Sequence, residues 1–302
     1  MKRKNIITYC IMMIVSIVLT IFAIVPINND YSDIEPWMKK VDDNTLINDL
    51  SIPGTHDSGA THSIFDIAGK CQDLSINEQV NMGVRFFDIR LQLVNDEFNV
   101  VHSFVDQKLK FKDVIKCLYD YIKYNASEFL IISIKKEEES LSSTKTFEEA
   151  ILEDFSQYQD VVCFDKQLPK TVKEARGKIF LISRYNSSIG VDAYVGWKDS
   201  TTFELNNFYI QDNYCIDDIE DKKNDIMKTL SYSNNNHDKL VLNFTSCYLD
   251  NAFPPSYSGT AASIINPWFN NLIKDNNDCL GVVIVDFMTN TLAQNIYKRN
   301  IK

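Results

Sequence analysis

Glycine and proline are scarce: 9 and 7 residues in a chain of 302. That excludes long flexible linkers and collagen-like stretches. No segment repeats at a period of about 20–50 residues, so solenoids and propellers are excluded. No G-x-G-x-x-G follows the first predicted strand, which argues against a dinucleotide-binding open sheet. Among the seven cysteines there is no C-x-x-C, and those after Cys10 are never closer than 32 residues. Six cysteines in an exported chain are enough for disulfides. Their spacing instead favours small buried hydrophobes and argues against a cysteine zinc site. Histidine is the scarcest titratable residue, with only His56, His62, His102 and His237.

Basic charge is also short. Lysine and arginine number 31 against 41 acidic residues, a net charge of −10. Lys2, Arg3 and Lys4 are the only charges before Asp30; without them 28 basic residues face 41 acidic ones, a net of −13. A body this acidic has no broad basic face for nucleic acid and no general electrostatic grip on anionic membranes. An anionic ligand must be met by a few local cations.

What is present begins with a leader. Lys2-Arg3-Lys4 precedes Ile6–Ile27, a run without charge. A positive n-region before an apolar h-region is an export signal. The run also reaches the roughly 20 residues that span a bilayer, and no clear small-x-small site precedes Asn28. A transmembrane signal anchor is thus the alternative to a cleaved signal peptide. Residues 1–29 are read as leader and residues 30–302 as one domain, secreted or anchored on the outer face of the membrane, and expected to be a monomer.

Eight short apolar, β-rich runs recur: 50–53, 85–91, 99–101, 129–134, 178–182, 208–211, 240–244 and 281–287. Runs such as Phe129-Leu130-Ile131-Ile132 and Val282-Val283-Ile284-Val285 suit strands buried on both faces. Helical patterns lie between most of them. Ser75-x-x-Glu78 has the form of a capping box, with Gly83 placed to end that helix. Residues 112–124 carry apolar side chains at a 3.6-residue rhythm. Residues 147–155, 217–230 and 261–274 read similarly, with Pro267 expected to kink the last or mark its start. The link between runs two and three is too short for a helix. The pattern predicts an irregular α/β fold, a (β/α)8 TIM barrel.

A barrel places its chemistry at the C-terminal ends of its strands. His56 and Asp57 follow run one, and Asp88 and Arg90 lie late in run two. His102 ends run three, Lys135 ends run four, and Arg184 follows run five. Asp212 and Tyr214 follow run six, and Asp286 lies near the end of run eight. Arg90, Lys135 and Arg184 supply the local cations that the acidic body needs, and a planar arginine suits a phosphate or carboxylate. Two histidines and an arginine suit a phosphodiester transphosphorylation. One histidine takes a proton from a neighbouring hydroxyl, and the other protonates the leaving alkoxide. Asp57, Asp88 and Asp286 are also potential metal ligands, but an adjacent arginine is unusual in a hard-metal site, so no metal or other cofactor is expected.

The segments Leu50–Ser58 (LSIPGTHDS) and Val84–Arg90 (VRFFDIR) resemble the bacterial phosphatidylinositol-specific phospholipase C family. Segments 128–135, 176–179, 210–214 and 284–287 also resemble it, in family order, so the resemblance covers about residues 45–300. It implies a TIM barrel and cleavage of phosphatidylinositol to inositol 1,2-cyclic phosphate and diacylglycerol. By resemblance, His56 is the general base on the inositol 2-hydroxyl and Asp286 orients it. His102 is the general acid, with Asp57 as its assistant. Arg90 binds the phosphate in place of the calcium of eukaryotic relatives. Asp88 supports it, and Lys135, Arg184, Asp212 and Tyr214 bind the inositol ring. The chain departs from the family after the second histidine, where His102 is followed by Ser103-Phe104. The resemblance also implies apolar membrane contact from mouth loops, for which Ile64, Phe65, Ile67, Trp197, Phe253 and Tyr257 are the candidates.

Two other functions compete. A glycerophosphodiester phosphodiesterase also uses a barrel, but needs a metal site with Glu-x-Asp where this chain has Asp88-x-Arg90. A non-catalytic, surface-anchored lipid-binding barrel would have no need of both histidines, Arg90 and Asp286 together.

Overall fold

The computed structural model describes residues 36–63, 69–250 and 258–301. The leader lies outside the described residues, as do Ile64, Phe65, Ile67, Phe253 and Tyr257. Among the described residues no helix is long and apolar enough to cross a membrane.

The strands, in chain order, are β1 (Ile52–Thr55), β2 (Phe86–Val94), β3 (Glu97–His102), β4 (Val105–Lys110), β5 (Leu130–Lys136), β6 (Val162–Cys163) and β7 (Ile179–Arg184). They continue with β8 (Val191–Asp192), β9 (Thr201–Leu205), β10 (Phe208–Asp212), β11 (Cys215–Ile216), β12 (Leu240–Phe244), β13 (Tyr248–Leu249) and β14 (Val282–Val285). The helices are α1 (Ile76–Asn81), α2 (Phe111–Tyr124), α3 (Phe147–Phe155), α4 (Val172–Ala175), α5 (Ile219–Asn235), α6 (Ser258–Ile273) and α7 (Asn290–Tyr297). Seven main strands run parallel in the order β7-β5-β2-β1-β14-β12-β10. The result is an irregular TIM barrel. No backbone ladder among the described residues joins β8 to β9; there the Asn206 amide donates to the Asp192 carbonyl at 3.0 Å.

All eight apolar runs are strands, but only seven are staves. Run three lies in β3, which pairs antiparallel with β2 and β4. The reason is local. Asn95 and Asp96 take φ of 53° and 64°, the left-handed pair that closes a tight hairpin. His102 therefore reaches the barrel mouth on a hairpin rather than on a stave.

The capping box forms, with the Ser75 N–H donating to Glu78 and the Glu78 N–H donating to Ser75. Gly83 follows with φ of 115°, and a side chain there would strike the Tyr297 ring. Pro267 neither starts nor ends its helix; α6 runs through it.

The period of two along each strand, together with the register, decides what faces the barrel axis. Ile52, Phe86, Ile131, Ile182, Ile210, Leu242 and Ile284 share one core cluster. Register pairs Gly54 with Phe86 and Ile284, and Phe86 with Ile131. Stepping by two from these apolar positions arrives at His56, Asp88 and Arg90, Lys135, Arg184, Asp212 and Asp286. The residues that pack the barrel's floor and those that line its mouth are thus one face of each strand.

All six described cysteines are free thiols. This agrees with the expectation of small buried hydrophobes for Cys71 and Cys247, which are 1% and 4% exposed.

Candidate active site

His56 is held from both sides. Its Nδ1 is 2.7 Å from Asp286 Oδ1, and its Nε2 is 2.6 Å from Arg90 Nη2. A guanidinium only donates, so Nε2 is the acceptor and Nδ1–H donates to Asp286. Burial works to lower the imidazole pKa. The Asp286 carboxylate more than offsets it, and the pKa stands above 6.5.

Arg90 joins this histidine to three carboxylates. Its Nε is 3.4 Å from Asp57 and 3.3 Å from Asp88, and its Nη1 is 3.4 Å from Glu137. Burial alone would weaken the guanidinium's hold on its proton, but these carboxylates raise its pKa well above the usual value. Asp88 also accepts from Arg184 Nη1 at 3.3 Å and from the Asp57 N–H at 3.2 Å. Burial pushes Asp88 upward, yet Arg90 and Arg184 outweigh it and hold the carboxyl well below its usual range.

The opposite wall carries the second histidine. His102 Nε2 lies 3.6 Å from Asp57 Oδ2. Asp57 is fully buried, has a left-handed φ of 44°, and neither of its carboxylate oxygens accepts a hydrogen bond. Burial raises its pKa above 3.8. Such strain in a non-glycine residue is stored at sites where the side chain must point one way.

A third group lies beside Arg184. Its guanidinium carbon stands 3.7 Å from the Trp197 ring centroid, and its Nη2 is 3.9 Å from Asp212. Trp197 Nε1 donates to Asp212 at 3.1 Å. Trp197, a candidate for membrane contact or for packing, is thus packed against charged groups of the site. Cation–π stacking and its indole hydrogen bond turn it toward the site, and Tyr194 and Val195 are the exposed apolar residues nearby.

His56, Asp57, Asp88, Arg90, His102, Arg184, Asp212 and Asp286 therefore form one connected cluster. Lys135 joins it through Glu137, at 2.7 Å. Tyr214 sits at the edge; its hydroxyl donates to Asp199 at 2.5 Å, and that bond raises the phenol's pKa. The outlying His237 pairs with Asp49, ahead of β12 and β1.

The sequence pattern does not point to Glu137, which pairs with the site's cations, or to Cys71, which packs beside the cluster without a part in the proton transfers. Glu137 lies in the charge run Lys135–Glu139, which reads as a solvated face. Burial works to raise its pKa, but Arg90 and Lys135 bring it down to about 2. Cys71, read only as packing, lies beside both histidines. Its sulfur is within 4.8 Å of the ligand atoms of His56 and Asp286, and of those of Asp57 and His102.

The model of the phosphatidylinositol-specific phospholipase C X domain matches residues 50–185. A 1-phosphatidylinositol phosphodiesterase of Staphylococcus aureus (strain Newman) is 34% identical over 281 residues, spanning 84% of this chain and 88% of that protein. The 1-phosphatidylinositol phosphodiesterase of Listeria monocytogenes is 27% identical over 286 residues, spanning 91% of this chain and 87% of that one. A solved structure of a mutant of the S. aureus phosphatidylinositol-specific phospholipase C superposes with a TM-score of 0.78 at 28% identity, over 90% of this chain and 99% of that one. From motif, fold and relatives together, the chain belongs to the bacterial phosphatidylinositol-specific phospholipase C family.

Proposed function

We propose that this chain cleaves phosphatidylinositol without a metal, by paired histidine acid–base catalysis, and acts outside the cytoplasm. The observation that carries the mechanism is the pair of contacts on the His56 ring, Asp286 at Nδ1 and Arg90 at Nε2. Asp286 fixes the proton on Nδ1, which leaves the Nε2 lone pair at the mouth of the barrel beside Arg90. That is the form a general base requires.

The substrate phosphate takes the guanidinium of Arg90, freeing His56 Nε2 for the inositol 2-hydroxyl. His56 accepts that proton, and the 2-oxygen bonds to phosphorus. The bond from phosphorus to the glycerol oxygen breaks, and His102 donates a proton to the departing alkoxide. The products are inositol 1,2-cyclic phosphate and diacylglycerol. Asp286 stabilises the imidazolium formed at His56, and Asp57 orients His102. Arg90 meets the charge that grows on the non-bridging oxygens, the preorganised electrostatics that usually contribute most. Asp88 and Glu137 hold Arg90 in place. Lys135, Arg184 and Asp212 offer charged hydrogen-bond partners to the ring hydroxyls, and Tyr214 offers an aromatic face at the rim.

The test is incubation of the protein with phosphatidylinositol vesicles in excess chelator, followed by phosphorus NMR. Inositol cyclic phosphate is the expected first product. Loss of activity in chelator would overturn the metal-independent mechanism and favour a metal-dependent phosphodiesterase. Lipid binding without diacylglycerol release would overturn catalysis itself.

A further inference from the structure

Cys71 lies on the segment after β1, 1% exposed, with its carbonyl accepting from the Phe287 N–H. Its sulfur belongs to two clusters of ligand atoms, one with His56 and Asp286 and one with Asp57 and His102. The two differ in what is free. In the first, His56 and Asp286 are already bonded to each other, Arg90 takes the second ring nitrogen, and only Asp286 Oδ2 is left without a hydrogen-bond partner. In the second, both oxygens of the fully buried Asp57 lack a hydrogen-bond partner, as does His102 Nδ1. A buried carboxylate without a hydrogen bond is costly, and a cation would relieve that cost.

We propose that Asp57, Cys71 and His102 form an inhibitory site for a borderline-soft divalent cation, best suited to zinc. Thiolate, imidazole and carboxylate are zinc's donor set. At bond lengths of about 2.0–2.3 Å, tetrahedral donors stand roughly 3.3–3.8 Å apart. The three donor atoms here lie within 4.8 Å of one another, so a contraction of about an ångström closes the site. His102 supplies that movement, being 28% exposed on a hairpin.

Binding expels the Cys71 proton to solvent and forms the zinc–sulfur bond, with no change of oxidation state. Thiolate and carboxylate together balance the dication. Arg90, 3.4 Å from Asp57, repels it, so the metal exchanges rather than resides. A bound cation takes His102 and Asp57 away from proton transfer. The inhibition rests on the proposed catalysis, whereas the binding does not.

Cobalt(II), as a spectroscopic stand-in for zinc, tests binding without any substrate. One equivalent is expected to give a thiolate-to-cobalt charge-transfer band that is abolished in Cys71→Ser and weakened in His102→Ala. In the phosphatidylinositol assay, zinc is expected to inhibit, and chelator to restore activity. Cys71→Ser should keep its basal turnover but need at least about tenfold more zinc for half-inhibition. Absence of the band in the folded protein would overturn the site, as would an equal band or equal zinc sensitivity in Cys71→Ser. If Cys71→Ser does not fold, the band in wild type against His102→Ala carries the decision. An unchanged band in His102→Ala would overturn the histidine ligand.

Discussion

Arg85, just before the inner strand β2, and Arg90, five residues on at the middle of that strand, live in opposite ways. Arg85 is 1% exposed and fully bonded. Its Nε donates to Glu128 at 2.8 Å, and its Nη1 donates to the carbonyls of Val80 and Val84, both at 2.8 Å. Its Nη2 lies 2.6 Å from Glu128 and donates to the Tyr121 hydroxyl. Arg90 touches three carboxylates only at 3.3–3.4 Å and is close only to His56. A guanidinium with every N–H bonded at short range is part of the frame. One held at long range by carboxylates keeps its fork free for an anion. In a barrel the N-terminal end serves stability and the C-terminal end carries the loops where sites form, and Arg85 and Arg90 lie on those two sides.

The largest expected effect separates the two ends by activity. His56→Ala and His102→Ala should each lower turnover about 10²–10⁴-fold with little change in melting temperature, read by steady-state assay and thermal denaturation. A variant keeping more than about a tenth of wild-type turnover would remove that histidine from proton transfer.

Next is Arg90→Lys, which retains charge but loses the planar fork. Turnover should fall severely while stability holds; a neutral result would take Arg90 out of the phosphate site. Arg85→Ala should do the reverse. It strands the fully buried Glu128 and should cost about 3–5 kcal/mol in denaturant unfolding. Equal stability losses for the two arginine variants would erase the distinction between Arg85 and Arg90.

Asp286→Asn sharpens the comparison through pH. The Asp286 carboxylate raises the His56 pKa, whereas burial and Arg90 lower it. His56 must be neutral to act as base, so activity falls as pH drops through that raised pKa. Without the carboxylate, the acid limb of kcat/KM should move to lower pH, on a reduced maximum. A limb that stays in place would assign it to another group. The smallest effect is expected for Glu137→Gln, which keeps the shape but removes one of three charges holding Arg90. KM should rise by about tenfold or less, with the fold intact.

Much of this was legible along the chain. Apolar runs marked seven staves because parallel barrel strands are covered on both faces. The mouth cluster was legible because polar side chains end those runs, and the segments around His56 and Arg90 carry a family motif. The hairpin role of β3 was not, since a three-residue apolar run reads alike in parallel and antiparallel pairing. Glu137 was hidden by its charged neighbours, and Arg85 by its place in a motif whose family resemblance points to Asp88 and Arg90. Trp197 was a candidate for membrane contact as much as for packing, because an aromatic residue in a loop carries no sign of which way it faces.

The sequence by itself determined the alternation that sends Phe86, Asp88 and Arg90 to one face, because side-chain direction along a strand has a period of two. It determined also that few cations are available, since composition limits what can meet a phosphate. Only the tertiary structure decided which arginine is spent on the frame, which histidine nitrogen faces Asp286 and which Arg90, and which cysteine lies beside both histidines. Those properties depend on distances between residues as far apart as His56 and Asp286. Such distances are set by barrel register and closure, not by any local preference of the chain.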